Sequence, residues 1–295
     1  MDWFWEFPHL DDDYLRMLRM VIDDSFRSFT RAYGDAIQQV FEPLRYLLLY
    51  AEWVLLNSPW PVVAMVVAAL AWLASRRWPI VLGTVLTLLL IGYFDMWEDT
   101  MRTVAMILVC TLLSLVVGIP IGIIMAGSNR VQSVVNPILD VMQTMPSFVY
   151  LIPVVMLLGI GRVPGLIAVV VYAIPPIIRL TNLGIRLVDK EVLEAADAYG
   201  SSRWQKLRNV QLPLAMPTIM AGINQTIMMA LAMVVIASMI GVQGLGQPVL
   251  RAINNQYFTM GMFNGLAIVG IAIIFDRISQ AFGKRIQKHQ EHTHE

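Results

Sequence analysis

Residues 194–213 form a polar segment between two long apolar runs and read EAADAYGSSRWQKLRNVQLP. Glu194 supplies a carboxylate that can make a charge-assisted hydrogen bond to a partner. Ala195 and Ala196 are small enough to let a helix seat closely in a groove. These residues favour non-covalent binding of a soluble partner, the alternative being an ordinary solvated loop.

The same segment carries signals for a helix, a turn and a second helix. Asp189 and the good helix formers after it predict a short helix that begins near Asp189. Gly200 can adopt the left-handed conformation that ends a helix, and the serine pair after it can cap a second helix that begins near Arg203. Pro213 is expected to end or bend this second helix before the next apolar run.

The composition indicates a membrane protein. The chain has 295 residues, of which 57% are hydrophobic and 14% are charged, and its 21 basic residues balance its 21 acidic ones. This excludes a typical soluble domain and gives no case for binding nucleic acid. The single cysteine, Cys110, lies in an apolar run, so we expect a buried thiol without a disulfide or redox role.

The two ends of the chain carry few functional signals. The N-terminus, MDWFWEFPHLDDD, is acidic where a cleavable signal is basic, so we expect none. We expect no metal site from the four histidines, which lie near the ends: His9, His289, His292 and His294.

A helix needs about 20 apolar residues to cross a bilayer. Seven segments approach the required length: residues 59–75, 78–94, 102–126, 134–158, 164–181, 215–240 and 260–276. Asp140, near the start of the fourth of these segments, suggests that the first turns of that segment lie in the interface or within protein.

The distribution of Lys and Arg among the connecting loops predicts the orientation of these spans. One side of the predicted membrane holds thirteen basic residues and the other holds eight, including five in the N-terminal region. Because basic residues favour the cytoplasmic side, we expect the N-terminus outside, and the C-terminus and residues 194–213 in the cytoplasm.

Residues 10–57 predict two amphipathic helices at the membrane interface, with Pro43 interrupting the second. Two alternatives remain. The region could be a solvated or partly disordered tail, or residues 44–57 could form an eighth span, although this stretch is short and contains Arg45 and Glu52.

Small and aromatic residues within the spans suggest close packing and a pathway. Gly118 with Gly122, and Gly261 with Gly265, would allow close helix approach. Methionines could line a pliable pathway, or simply pack, and ring faces could attract a cationic solute. The pathway candidates are Met145, Phe148, Tyr150, Tyr172, Met228 and Met229.

The spacing of the polar segment resembles the EAA loop of permease subunits of ATP-binding-cassette importers. Glu194-Ala195-Ala196, then Gly200, then residues 210–213 (VQLP) recur at the family's separations, with valine at 210 where isoleucine is usual. Segments 142–165, 175–185, 210–231 and 234–253 further resemble permeases of the proline/glycine betaine and choline uptake systems.

This resemblance implies an all-α membrane protein with the type I ABC importer transmembrane fold. It would have about seven spans with a core of five, N-out and C-in, and N-terminal scaffold helices. The implied regions are a scaffold at 1–57, two added spans at 58–96, the permease domain at 97–280 with its coupling loop at 186–213, and a cytoplasmic polar tail at 281–295.

By the same resemblance, the coupling loop would grip an ATPase and the chain would perform no covalent chemistry. The implied partners are a second copy of the chain, two cytoplasmic ATPase subunits that bind ATP and magnesium, and an extracytoplasmic solute-binding protein. The location would be a bacterial inner membrane, and this chain would bind no cofactor. The coupling residues would be Glu194, Ala195, Ala196, Gly200, Val210, Leu212 and Pro213.

The solute implied is a quaternary ammonium osmolyte such as glycine betaine or choline. One alternative is an importer permease for an amino acid or another small solute. An ion-coupled secondary transporter is a second, but it needs ionisable groups at the centre of a span, which are missing from the predicted spans. A membrane scaffold that moves nothing is a third.

Overall fold

The computed structural model describes residues 10–291, and in that range the chain is helical without a β-strand. We predicted that the histidines near the two ends form no metal site. Three of them, His9, His292 and His294, lie outside this range. The helices are α1 Asp12–Asn57, α2 Trp60–Ser75, α3 Trp78–Tyr93, α4 Trp97–Gly127, α5 Asn129–Thr144, α6 Leu151–Leu158, α7 Arg162–Ala173, α8 Pro175–Arg186, α9 Lys190–Ala198, α10 Arg203–Lys206, α11 Leu212–Ala237, α12 Gly246–Asn255 and α13 Phe258–Glu291.

The N-terminal region is one helix of 46 residues, so the prediction of two helices interrupted at Pro43 is wrong. A proline removes one backbone hydrogen bond. The residues after Pro43 are nevertheless held against the rest of the chain, because Leu48 is buried and Glu52 pairs with Arg162. The axes of α1 and α2 meet at 107°, and α1 can contribute to a span only together with α2.

Four helical stretches of the described residues are long and apolar enough to cross a membrane: Trp97–Gly127, Arg162–Arg186, Arg203–Ile240 and Phe258–Gly283. They overlap the third, fifth, sixth and seventh predicted spans. Up to six spans result if α1 with α2, and α5 with the helices after it, each count as one bent span, while α3 is a shorter apolar helix. The count of seven stays a prediction.

The predicted fourth span is broken rather than straight. α5 ends at Thr144, Met145 is extended, and the chain turns by 110° before a 3-10 turn at Ser147–Tyr150 leads into α6. Pro146 explains the break, since a proline drives the residue before it out of the helical conformation.

Close helix contacts place α8 between α4 and α11. A Cβ atom on Gly122 would lie 2.6 Å from Thr181 Cβ, and one on Gly222 would lie 3.0 Å from Leu180 Cβ. Gly118 and Gly122 thus both face α8, which confirms that pair as a close-packing step. The second predicted pair is only half right, because a Cβ on Gly261 would lie 3.2 Å from Ala252 Cβ whereas one on Gly265 would meet no atom within 4 Å among the described residues.

Candidate functional site

The polar segment begins with the short helix that its sequence predicts. Asp189 caps α9 by accepting a hydrogen bond from the Glu191 amide at 3.0 Å. Ser202 caps α10 reciprocally: its hydroxyl accepts from the Gln205 amide at 3.3 Å, and the Gln205 side chain accepts from the Ser202 amide at 2.8 Å. The predicted starts near Asp189 and Arg203 are confirmed.

Gly200 makes the turn between these helices. Its φ of +76° is left-handed, and its amide donates to Asp197 O at 2.9 Å while the Ser201 amide donates to Ala196 O at 3.1 Å. This pair of bonds is the Schellman motif that ends many helices, and it satisfies carbonyls that the end of α9 would otherwise leave unpaired. The predicted role of Gly200 as the residue that ends α9 is confirmed.

The second helix does not end at Pro213, so this one of the two expected outcomes is wrong. A π-helical turn at Leu207–Gln211 joins α10 to α11, and the Leu212 amide donates to Leu207 O. Pro213 lies in the first turn of α11, where a missing amide hydrogen does least harm. The part of the polar segment that begins at Arg203 therefore forms one continuous helix with the sixth apolar stretch, Arg203–Ile240.

The predicted coupling residues divide into two groups by exposure. Glu194, Ala195 and Gly200 are exposed, and Ala196 is partly buried. Glu194 makes no ion pair with any described residue, so its carboxylate is available to a partner. The second group lies after α10, where the segment joins α11. In this group Val210 and Leu212 are partly buried and Pro213 is exposed.

Two aromatic side chains that the sequence reasoning missed flank Gly200. Tyr199 is 92% exposed and Trp204 is 68% exposed. Large aromatic residues in a polar loop are the signal that could have identified them, because Tyr and Trp are enriched among residues that dominate protein interfaces.

Side-chain contacts fix the segment internally and to the helices before it. Lys206 Nζ lies 2.6 Å and 2.7 Å from the two Asp197 carboxylate oxygens, which joins α10 to α9. Three nitrogens of Arg186, at the end of α8, donate to Asn182 Oδ1 at 3.0 Å, Asn129 Oδ1 at 2.8 Å and Met125 O at 2.9 Å. Arg186 thereby connects the end of α8, which precedes α9, with the end of α4 and the start of α5.

The pathway candidates differ in exposure within this chain. Tyr150 is buried, its hydroxyl donates to Met142 O, and its ring meets Tyr172 edge-on with centroids 5.7 Å apart. Phe148 is exposed nearby, and Met145 is partly buried. Met228 is exposed on α11, whereas Met229 packs against the main hydrophobic core.

Comparison with known proteins identifies the family. The model of the family described as "Binding-protein-dependent transport system inner membrane component" matches residues 118–288. The chain belongs to this family. The permease is accordingly a multi-pass membrane protein and a transport subunit, not an enzyme.

Curated relatives match most of the permease. It is 51% identical over 237 residues to the glycine betaine/carnitine transport permease protein GbuB of Listeria monocytogenes, covering 79% of this chain and 84% of the relative. It is 48% identical over 252 residues to the glycine betaine/proline betaine transport system permease protein ProW of Escherichia coli, covering 85% of this chain and 71% of the relative.

A solved structure supports the fold. The permease resembles a chain of the MetNI methionine ABC transporter in an inward-facing conformation, with a TM-score of 0.57, 20% identity, and coverage of 62% of this chain and 92% of that chain. At this identity the likeness shows the fold alone. The expectation of an all-helical ABC importer permease is thus confirmed in its coarse form.

Proposed function

We propose that this permease carries a quaternary ammonium osmolyte, such as glycine betaine or choline, inward across a bacterial inner membrane at the expense of ATP. The observation that carries the proposal is its identity of 48–51% with permeases named for glycine betaine together with carnitine or proline betaine. Those solutes share a small size and a fully substituted, positively charged nitrogen, so the proposed class follows from their common chemistry.

The proposed assembly contains two copies of this chain, two ATPase subunits on the cytoplasmic side and a solute-binding protein on the outer side. The N-terminus lies outside and the C-terminus inside. ATP and Mg²⁺ bind to the ATPase, and this chain needs no cofactor. Family membership supports the general scheme, and the balance of basic residues among the loops supports the orientation.

In this assembly, α9 is the element that seats in a groove of the ATPase. Exposed Glu194 binds a donor on the ATPase, and Ala195 and Ala196 permit close approach. Tyr199 and Trp204 provide the large contact area. The Lys206–Asp197 pair keeps α9 and α10 together, so a push on α9 reaches the continuous helix Arg203–Ile240.

That helix passes the motion into the membrane. α11 packs closely on α8 at Gly222 and Gly184, and a hydrogen bond from Asn224 to Asp276 links it to α13. Because such packed helices move as rigid bodies rather than deform, displacement of α9 tilts the helices around the solute path.

The test is ATP-dependent uptake of labelled glycine betaine into proteoliposomes that contain the permease, its ATPase and its solute-binding protein. Gly200→Val should abolish uptake while membrane insertion persists, because a β-branched residue is strained at a φ of +76°. Gly200→Asn is the matched control and should retain much more uptake, since asparagine tolerates this conformation.

Glu194→Lys should also abolish uptake with insertion intact, because it reverses the charge offered to the ATPase. Full uptake by both Gly200→Val and Glu194→Lys would contradict the coupling role. Uptake by the wild type that persists without ATP would contradict the importer mechanism, and transport of an amino acid in place of betaines would contradict the proposed solute.

A further inference from the structure

α5 carries a polar stripe although it belongs to a predicted span. Six of its eight polar side chains lie on one face of the helix, because most of them are spaced by three or four residues. All of them are exposed or partly exposed in this chain, while Leu139 on another face is buried. The stripe consists of Asn129, Ser133, Asn136, Asp140, Gln143 and Thr144.

Arg179 on α8 meets this stripe. Its guanidinium donates to Asp140 Oδ1, and the two side chains remain 35% and 63% exposed respectively. The Nε atom of Arg179 is buried and has no hydrogen-bond partner. The ion pair therefore leaves the Nε donor of Arg179 unpaired and much of the Asp140 carboxylate accessible.

The pair lies away from the ends of both helices. Asp140 is eleven residues from the first residue of α5, or roughly 16 Å along the helix, and Arg179 is seven residues from the last residue of α8, or roughly 10 Å. In a membrane, charged groups are costly unless they face the bundle interior or water. We therefore expect this pair to face a water-filled cavity or protein rather than lipid.

The chain break after α5 also favours a cavity. Non-helical backbone at membrane depth occurs where it is buried in protein or lines water. The break begins at Met145, one turn beyond Asp140, and the Tyr150 hydroxyl binds the carbonyl of Met142 in the last turn of α5. The partly exposed ring of Tyr172 contacts Tyr150, so an aromatic pair is attached to the last turn of α5, the helix that carries Asp140.

We propose that Asp140 and Arg179 form a transmembrane binding site for a zwitterion, with Asp140 facing its ammonium and Arg179 its carboxylate. This inference rests on the proposed function and specifies where the transported solute binds in the membrane. A betaine carries one positive and one negative charge, as the ion pair does. Its ammonium can therefore replace Arg179 beside Asp140, and its carboxylate can replace Asp140 beside Arg179. Arg179 can bind the carboxylate through a forked pair of hydrogen bonds, whereas a quaternary nitrogen donates none and needs only the charge of Asp140 and a nearby ring.

The experiment measures equilibrium binding of labelled glycine betaine and labelled choline to the purified permease–ATPase complex without the solute-binding protein. Both probes carry the trimethylammonium group, but only glycine betaine carries a carboxylate. Asp140→Asn should weaken binding of both probes at least tenfold. Arg179→Gln should weaken glycine betaine binding at least tenfold and change choline binding less than threefold.

Conservative variants and a distant ion pair serve as controls. Asp140→Glu keeps the charge and should retain choline binding, and Arg179→Lys should bind glycine betaine better than Arg179→Gln does. Glu98→Gln removes one of the two carboxylate partners of Arg102 at the start of α4 and should bind both probes as the wild type does. These controls separate a loss of the site from a general failure to fold.

The inference is overturned if Asp140→Asn and Arg179→Gln bind both probes like the wild type. It is also overturned if Arg179→Gln weakens both probes equally, or if Asp140→Glu is as defective as Asp140→Asn. Uptake assays of the complete system keep this inference apart from the proposed function. No betaine uptake by the wild type contradicts the proposed function, whereas normal uptake by both variants contradicts the membrane site alone.

Discussion

Lys206 Nζ lies between the two carboxylate oxygens of Asp197, at 2.6 Å and 2.7 Å, and so joins the two helices on either side of Gly200. Backbone hydrogen bonds already set the turn itself. The ion pair adds a second connection, between the exposed α9 and the start of the helix that enters the membrane. It makes the segment a single unit rather than two helices on a hinge.

Exchanging this pair tests that role. Asp197→Asn or Lys206→Gln should lower coupled uptake by a fewfold at most, because partly exposed ion pairs contribute about 0–1 kcal/mol. The double exchange, Asp197→Lys with Lys206→Asp, should restore uptake above either single variant. Uptake per ATP hydrolysed is the measurement, and a double variant worse than both singles would contradict the pairing.

Arg186 should control how much transport each ATP produces. Its guanidinium binds the ends of three elements, and lysine would keep the charge but lose the forked geometry. We expect Arg186→Gln to hydrolyse ATP with at least tenfold less uptake per ATP, and Arg186→Lys to be intermediate. Exposed Arg130 on the neighbouring α5 is the control, and Arg130→Gln should leave the ratio unchanged. Equal ratios in Arg186→Gln and the wild type would show that Arg186 does not transmit the motion.

The local structure of the coupling segment could be predicted because its determinants are local. The cap at Asp189, the left-handed turn at Gly200 and the start near Arg203 depend on hydrogen bonds between residues at most five apart. The contact of Gly118 and Gly122 with α8 was likewise predictable as close approach, although their partner helix was not.

Features set by distant contacts could not be predicted. α1 continues past Pro43, and the contact that its later part makes, from Glu52 to Arg162, joins residues that are 110 apart in the sequence. Tyr150 looks like an available ring in the sequence, but its burial depends on Tyr172 and on the turn of the chain at Pro146. The π turn before Pro213 was not indicated by the sequence, in which a proline alone suggests the end or a bend of a helix.

Gly122 should be indispensable to the contact between α4 and α8. In Gly122→Ala, the new methyl group would lie 2.6 Å from Thr181 Cβ and 2.8 Å from Ile178 O, so the helices must separate. Such overpacking costs about 1–3 kcal/mol. Gly127→Ala makes the same substitution on the same helix where no atom lies within 4 Å, and should be neutral. Thermal unfolding in detergent measures the stability of both variants. Equal melting temperatures would show that α4 and α8 accommodate the methyl group on residue 122 without loss of stability.

Glu52 should be the most important residue of α1 for stability. Its carboxylate is 8% exposed and lies 2.8 Å from Arg162, which is 30% exposed and also donates to Gln243 Oε1. The cluster thus ties α1 to the start of α7 and to the loop before α12. Glu52→Gln removes the counter-charge of a partly buried arginine and should destabilise the protein by up to about 3 kcal/mol.

The matched control for Glu52 lies on the same helix. Glu42 pairs with Arg45 at 2.7 Å, but the two side chains are 33% and 47% exposed, against 8% for Glu52, so Glu42→Gln should cost about 0–1 kcal/mol. Thermal unfolding together with protease sensitivity of α1 measures the difference, since release of α1 should expose its backbone. If both variants melt at the same temperature and α1 stays protected, the attachment of α1 depends on its apolar contacts around Leu48, not on the Glu52–Arg162 pair.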